Sequence, residues 1–224
     1  MSDVVGATFK IKLHDVKLLV RKMKISPSVL VAHAKALEIG NAKYPIRRVI
    51  TKSFTISAGN WDFSQENVFS GRLPSRLTVA FIDNNAFNGA FDKNPFNFKN
   101  YYLTQIKIFI DGQAHQIKPI ECNFPNNQSI TGSMSLFCGS GKYMKDDGNE
   151  ISREDYANGF TLYSFDLSPD LNGDDHFNLI KEGSIRIDVK FGTALPNTVN
   201  CIVHSEFENI LEIDRNRSIL FDYK

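Results

Sequence analysis

The chain has 224 residues, with 26 Lys+Arg against 25 Asp+Glu, 42% hydrophobic and 23% charged residues. That balance excludes a disordered chain and a uniformly basic nucleic-acid binder. Three scattered cysteines (Cys122, Cys138, Cys201) cannot pair into a disulfide framework and read as reduced small residues of a reducing compartment. No apolar run reaches the roughly 18 residues of a membrane span. The opening Met-Ser-Asp-Val-Val-Gly has neither the basic nor the apolar region of a secretory signal, so the expectation is a protein that is not secreted. Eighteen Phe favour pleated strand surfaces, while 20 Asn, 14 Gly and 8 Pro supply turns.

From the N-terminus, Phe9, Ile11 and Leu13 alternate with Lys10 and Lys12. Val16, Leu18 and Val20 follow, and the phase then shifts to Met23 and Ile25. Residues 8–25 are expected to be one bulged strand, or two with a break near His14-Asp15. Ser26-Pro27 is a helix start and Gly40 a stop, predicting one short helix over 27–37. Further strands are expected at 47–56, with Val49, Ser53 and Thr55 on one face, and at 77–82 and 103–110. Asp111-Gly112 marks a hairpin into 113–117. The late strands are 161–167, 184–191 and 199–207. Ile185, Ile187, Val189 and Phe191 share a face opposite Arg186, Asp188 and Lys190. Ser152 to Gly159 reads as one capped helical turn. Eight or nine strands with one short helix and long loops at 83–100, 119–131 and 139–160 argue for an all-β antiparallel sandwich in a single domain.

Motifs for chemistry fail on inspection. Gly139-Ser140-Gly141-Lys142 lacks the phosphate-loop Gly at 136, which is Leu, and has Tyr143 in place of Ser or Thr. Asp170–Asp175 and Asp146–Glu150 miss the glycine and glutamate of a calcium loop, and the five His show no zinc spacing. No catalytic, cofactor or metal residue is assigned. A Cys-His nucleophilic pair would need a meeting in space that nothing local supports.

Charge and aromaticity are unevenly spread. Residues 1–112 carry 16 basic and 8 acidic side chains, while 113–224 carry 10 and 17. The basic part is either lysine on the outward positions of edge strands or a face for an acidic neighbour. Phe87, Phe91, Phe96, Phe98, Tyr101 and Tyr102 fall within 16 residues. Such a loop either docks into a neighbour or folds over its own core, since it cannot stay free in water. The loops 83–102 and 139–160 are the candidate contact regions, the second through Lys142 and Tyr143 at its basic tip.

Many segments, in one order, resemble the major capsid (hexon) proteins of Polinton, or Maverick, elements and the related adintoviruses. They are Leu19–Val29, Ala32–Leu37, Ala42–Arg48, Asn94–Phe98 and Ile151–Tyr156, then Phe165–Leu167, His176–Leu179, Ala194–Val199, Glu206–Asn209 and Ile213–Arg217. The resemblance implies an eight-stranded jelly-roll sandwich and a non-enzymatic structural role in the virion. In that family two jelly rolls stand side by side, three copies make a pseudo-hexagonal capsomer, and capsomers tile an icosahedral shell. The matched ends place this chain as the C-terminal jelly roll, since a double jelly roll needs roughly twice the length. The implied partners are the chain itself, as a homotrimer, with neighbouring capsomers or a penton protein, and no sequence-specific nucleic acid. Two other readings stay open: a penton-type single jelly roll, and a host-retained sandwich whose loop aromatics bind a glycan or a protein.

Overall fold

The computed structural model describes residues 12–115, 118–143, 146, 148–168 and 181–221. In chain order the elements begin with helix α1 (Pro27–Ile39) and strands β1 (Ala42–Ile56), β2 (Asp62–Arg72) and β3 (Arg76–Asp83). Helix α2 (Asn84–Phe87) follows, then β4 (Leu103–Ile110), β5 (Gln113–Ala114), β6 (Ile120–Glu121) and a single 3-10 turn at Phe124–Asn126. Helices α3 (Ile130–Gly139) and α4 (Arg153–Ala157) lead into β7 (Leu162–Asp166), β8 (Glu182–Phe191), β9 (Val199–Ile213) and β10 (Ile219–Phe221). Residues 47–208 make one compact unit; residues 12–46 and 209–221 are the described part of a second.

The larger unit is a sandwich of two antiparallel sheets. One runs β1-β9-β3-β7, and the other β2-β8-β4-β5 with β6 also on β4. The alternation in β8 is realised as expected: Ile185, Ile187, Val189 and Phe191 are buried, with Arg186, Asp188 and Lys190 turned away. They meet Leu77, Val79 and Phe81 of β3 in one core. Edge-to-face aromatic pairs join the two sheets, Phe81 with Phe191 at 5.6 Å and Phe69 with Phe207 at 5.3 Å between ring centres. Each such pair adds to the apolar area its rings remove from water. In β1, Val49, Ser53 and Thr55 share the exposed face, and Ile50 and Phe54 pack against the core. The Asp111-Gly112 turn forms with both φ angles positive, and Ile110 pairs with Gln113.

Two elements depart from expectation. Strand β2 breaks its own alternation with a register shift between Gln65 and Phe69, where Asn67 has φ 51°. The bulge hides the period-two signal. Helix α3 falls where no helix is expected, because Ile-Thr-Gly-Ser-Met-Ser-Leu-Phe-Cys-Gly is poor in helix formers. It packs on β7 and β3, and its glycines serve close approach. A Cβ at Gly139 would fall 2.7 Å from the backbone carbon of Ser164, and one at Gly132 would fall 2.5 Å from the Tyr156 hydroxyl. Glycine was therefore placed by packing, against helix propensity.

In the second unit, α1 forms as expected and contains no buried residue. It ends at Gly40, which is extended at φ −173°, with its N–H bonded to Ala36 O. The Ser26 hydroxyl meets Ser28 Oγ and makes no cap to the helix backbone. The strand expected over 8–25 is corrected: 8–11 lie outside the described residues, and 12–25 contain no strand. Leu13, Val16, Leu18, Leu19, Val20 and Met23 are exposed there. Alternation shapes a strand only where a sheet edge takes up its backbone hydrogen bonds, and no described strand pairs with this stretch. Asn41 donates to Glu212 Oε2 at 3.0 Å, and Lys43 lies 3.5 Å from Glu212 Oε1. The Asp214–Ser218 turn, capped by Asp214 Oδ1, folds β10 back onto β9.

Candidate interaction surface

The loop between β3 and β4 crosses from one sheet to the other and carries the aromatic run. Asp83 fixes its start. Its Oδ1 accepts the N–H of Asn85 at 2.8 Å and of Ala86 at 3.4 Å, and Lys93 Nζ donates to both carboxylate oxygens at 3.1 and 3.0 Å. Burial pushes the Asp83 carboxyl up, but the Lys93 hydrogen bond and charge, with the two amides, outweigh it and hold the group below 3.8. The far end of the loop is held by backbone bonds, Phe98 N to Gly159 O at 2.8 Å and Thr161 N to Phe98 O at 3.0 Å. Asn100 braces the last turn: its Nδ2 donates to Ala157 O at 2.9 Å and its Oδ1 accepts from Tyr102 N at 2.8 Å.

This frame sorts the aromatics. Phe87, Phe91, Phe96 and Tyr102 remain 46, 49, 71 and 51% exposed. Phe98 is half-buried, and Tyr101 is half-buried against the sandwich core. Tyr101 thus folds over the chain's own core, while Phe87, Phe91, Phe96 and Tyr102 remain open to solvent. Tyr143 is exposed, and Lys142 donates its backbone N–H to Phe137 O at 3.3 Å just beyond α3. Neither lines the cavity beside the aromatic loop, so the structure does not join these two to the aromatic set in one pocket. That cavity is about 540 Å³ and is lined by Asp83, Asn97–Tyr102 without Phe98, the turn 157–159 and the 193–197 connection. The 157–159 turn belongs to the 139–160 candidate loop and is brought here by the Phe98–Phe160 pairing, whereas sequence reasoning missed the 193–197 connection, which approaches through the sheet registers Asp83–Val199 and Leu103–Phe191.

Burial pushes the Cys122 thiol up to about 11 and the Cys201 thiol up as well, so both stay protonated and non-nucleophilic at neutral pH. His204 shares a 3.0 Å hydrogen bond with Thr51 Oγ1, and His115 Nε2 donates to Asp166 O at 3.1 Å. His176 and the 170–175 acidic run lie outside the described residues. Among the described residues, no group of three His, Cys, Asp or Glu could hold a metal. No described helix is long and apolar enough to cross a membrane.

Two sheets, crossed by loops at their ends, match a solved structure. A chain of the PBCV-1 virus capsid superposes over 82% of this chain with a TM-score of 0.51 at 10% identity. The fold is similar to that of this capsid chain. The Sputnik virophage also aligns, at a TM-score of 0.48 and 11% identity, covering 80% of this chain and 38% of that one. In sequence, an uncharacterized protein of Caenorhabditis elegans, F54H12.2, is 27% identical over 218 residues, which is 96% of this chain. The chain spans about half the length of that relative and of the PBCV-1 chain, 52% in each case. No family model matches. The fold agrees with the capsid-protein resemblance drawn from the sequence.

Proposed function

We propose that this chain is a structural, non-enzymatic capsid protein domain: the C-terminal jelly roll of a double jelly-roll protein that self-associates into pseudo-hexagonal capsomers of an icosahedral shell. The observation that carries the reading is the fold match to a PBCV-1 capsid chain over 82% of the residues. The half-length coverage of both that chain and the nematode relative supports a protein with a second domain of similar size. The partners are further copies of the chain, as a trimer in the full-length protein, with neighbouring capsomers and a penton protein.

Phe87, Phe91, Phe96 and Tyr102 are the contact residues on this reading. Large aromatics held half out of water by a braced loop gain most when a neighbour covers them. The basic first half and acidic second half would steer the encounter, which makes association salt-dependent. The test is sedimentation velocity at rising concentration and at low and high salt. Concentration-dependent trimers that weaken with salt support the reading. Pentamers would transfer it to the penton-type alternative, and a monomer under every condition would overturn it.

A further inference from the structure

The cavity beside the aromatic loop has a built character that an intersubunit contact does not require. It opens where β3 ends and β4 begins, between the two connections that cross from sheet to sheet. Its volume, about 540 Å³, lies in the range of small-molecule sites. Tyr101 and Tyr102 are consecutive left-handed residues, with φ 44° and 51°. Bulky side chains rarely adopt that conformation, and it persists only where the surroundings enforce it. Here Asn100 Oδ1 takes the Tyr102 N–H, Gly192 N donates to Tyr102 O at 2.8 Å, and Leu103 N donates to Asn100 O at 2.9 Å. The outcome is a backbone turn fixed before any ligand arrives, from which Tyr102, about half exposed, lines the cavity.

The other lining groups define what would fit. Asn158, Thr193 and Asn197 are exposed and make no side-chain hydrogen bond to any described residue. Amides and a hydroxyl both donate and accept, so together they suit a ligand that does the same. Formal charge in the lining is balanced: Lys99 is the cation and Asp83, already paired with Lys93, the anion. An anionic ligand finds no cluster of cations there, and a wholly apolar one would strip the amides of water without replacing it. The remaining chemistry is neutral, rich in hydroxyls, and flat and apolar on one face.

We infer that this cavity is a carbohydrate subsite, in which a neutral pyranose stacks its C–H face on Tyr102 while its hydroxyls bond to Asn158, Asn197 and Thr193. The inference does not rest on the capsid reading, because it uses the cavity and its lining and needs no second copy of the chain.

The experiment is a glycan microarray bearing terminal glucose, galactose, mannose and N-acetylglucosamine, followed by calorimetric titration of the 224-residue chain with the free monosaccharide that scores. The wild type is expected to bind at least one terminal pyranose. Tyr102→Ala is expected to lower that affinity about tenfold or more, in line with the loss of an aromatic platform. Asn158→Ala with Asn197→Ala should lower it about two- to tenfold per lost hydrogen bond. These three positions are exposed, so unchanged circular dichroism and melting are expected. Should Tyr102→Ala nevertheless unfold, Tyr102→Leu keeps bulk without a flat ring and gives the same reading. Folded wild-type protein that binds no sugar overturns the inference, as does equal binding by the variants. Sedimentation of the same samples reports self-association separately, so either reading can fail while the other stands.

Discussion

The sandwich interior and the β3–β4 loop are built from the same aromatic residue types and put them to opposite use. Phe81, Phe165 and Phe191 are almost wholly buried, and Phe81 and Phe191 meet edge to face across the sheets. Phe87, Phe91, Phe96 and Tyr102 are about half exposed or more, on a loop fastened by Asp83, Lys93 and Asn100. In the interior an aromatic lowers the free energy of the folded chain. In the loop the fastening by Asp83, Lys93 and Asn100 is polar, and Phe87, Phe96 and Tyr102 stand about half out of water or more. On the proposed reading these rings are presented for contact by a frame made of other groups.

Substitutions should separate the two regions by size of effect. Phe81→Ala removes a fully buried ring and leaves a cavity, and it should cost about 3–5 kcal/mol in urea unfolding. Gly139→Ala drives a methyl into the Ser164 backbone, and should cost about 1–3 kcal/mol with α3 displaced from β7. Asp83→Ala frees two backbone N–H groups and Lys93, and should cost about 1–2 kcal/mol at neutral pH. Because the folded Asp83 pKa lies below 3.8, its contribution is complete above that value and is lost as pH falls through the lower folded pKa. The gap between wild type and Asp83→Ala should therefore close in acid, measured as the pH dependence of the urea midpoint. Phe96→Ala should change stability by less than about 0.5 kcal/mol, yet weaken self-association. A stability loss at Phe96 as large as at Phe81 would erase the distinction between the regions.

The elements that sequence pattern revealed are those whose neighbours demand nothing unusual. Strand β8 alternates without interruption because one face meets the core and the other does not. Helix α1 carries its own start and stop. Strand β2 was concealed by the bulge at Asn67, and α3 by glycines whose reason is Ser164 and Tyr156, both distant in sequence. Over 12–25 the pattern alternates, but no described strand takes up its backbone hydrogen bonds. At the candidate surface, the aromatic composition of 87–102 was visible at once. Which rings face outward was not, because the left-handed turn at Tyr101 and Tyr102 depends on Asn100 and Gly192. The 193–197 wall depends on strand register and leaves no local trace.

The most direct test of the capsid account is sedimentation velocity of the 224-residue chain beside a Phe87→Ala, Phe96→Ala double variant, from dilute to millimolar protein. The account predicts a trimer that grows with wild-type concentration, dissociates with added salt, and shifts to higher concentration in the equally stable double variant. A wild type that remains monomeric throughout, or a double variant that assembles identically, would contradict it.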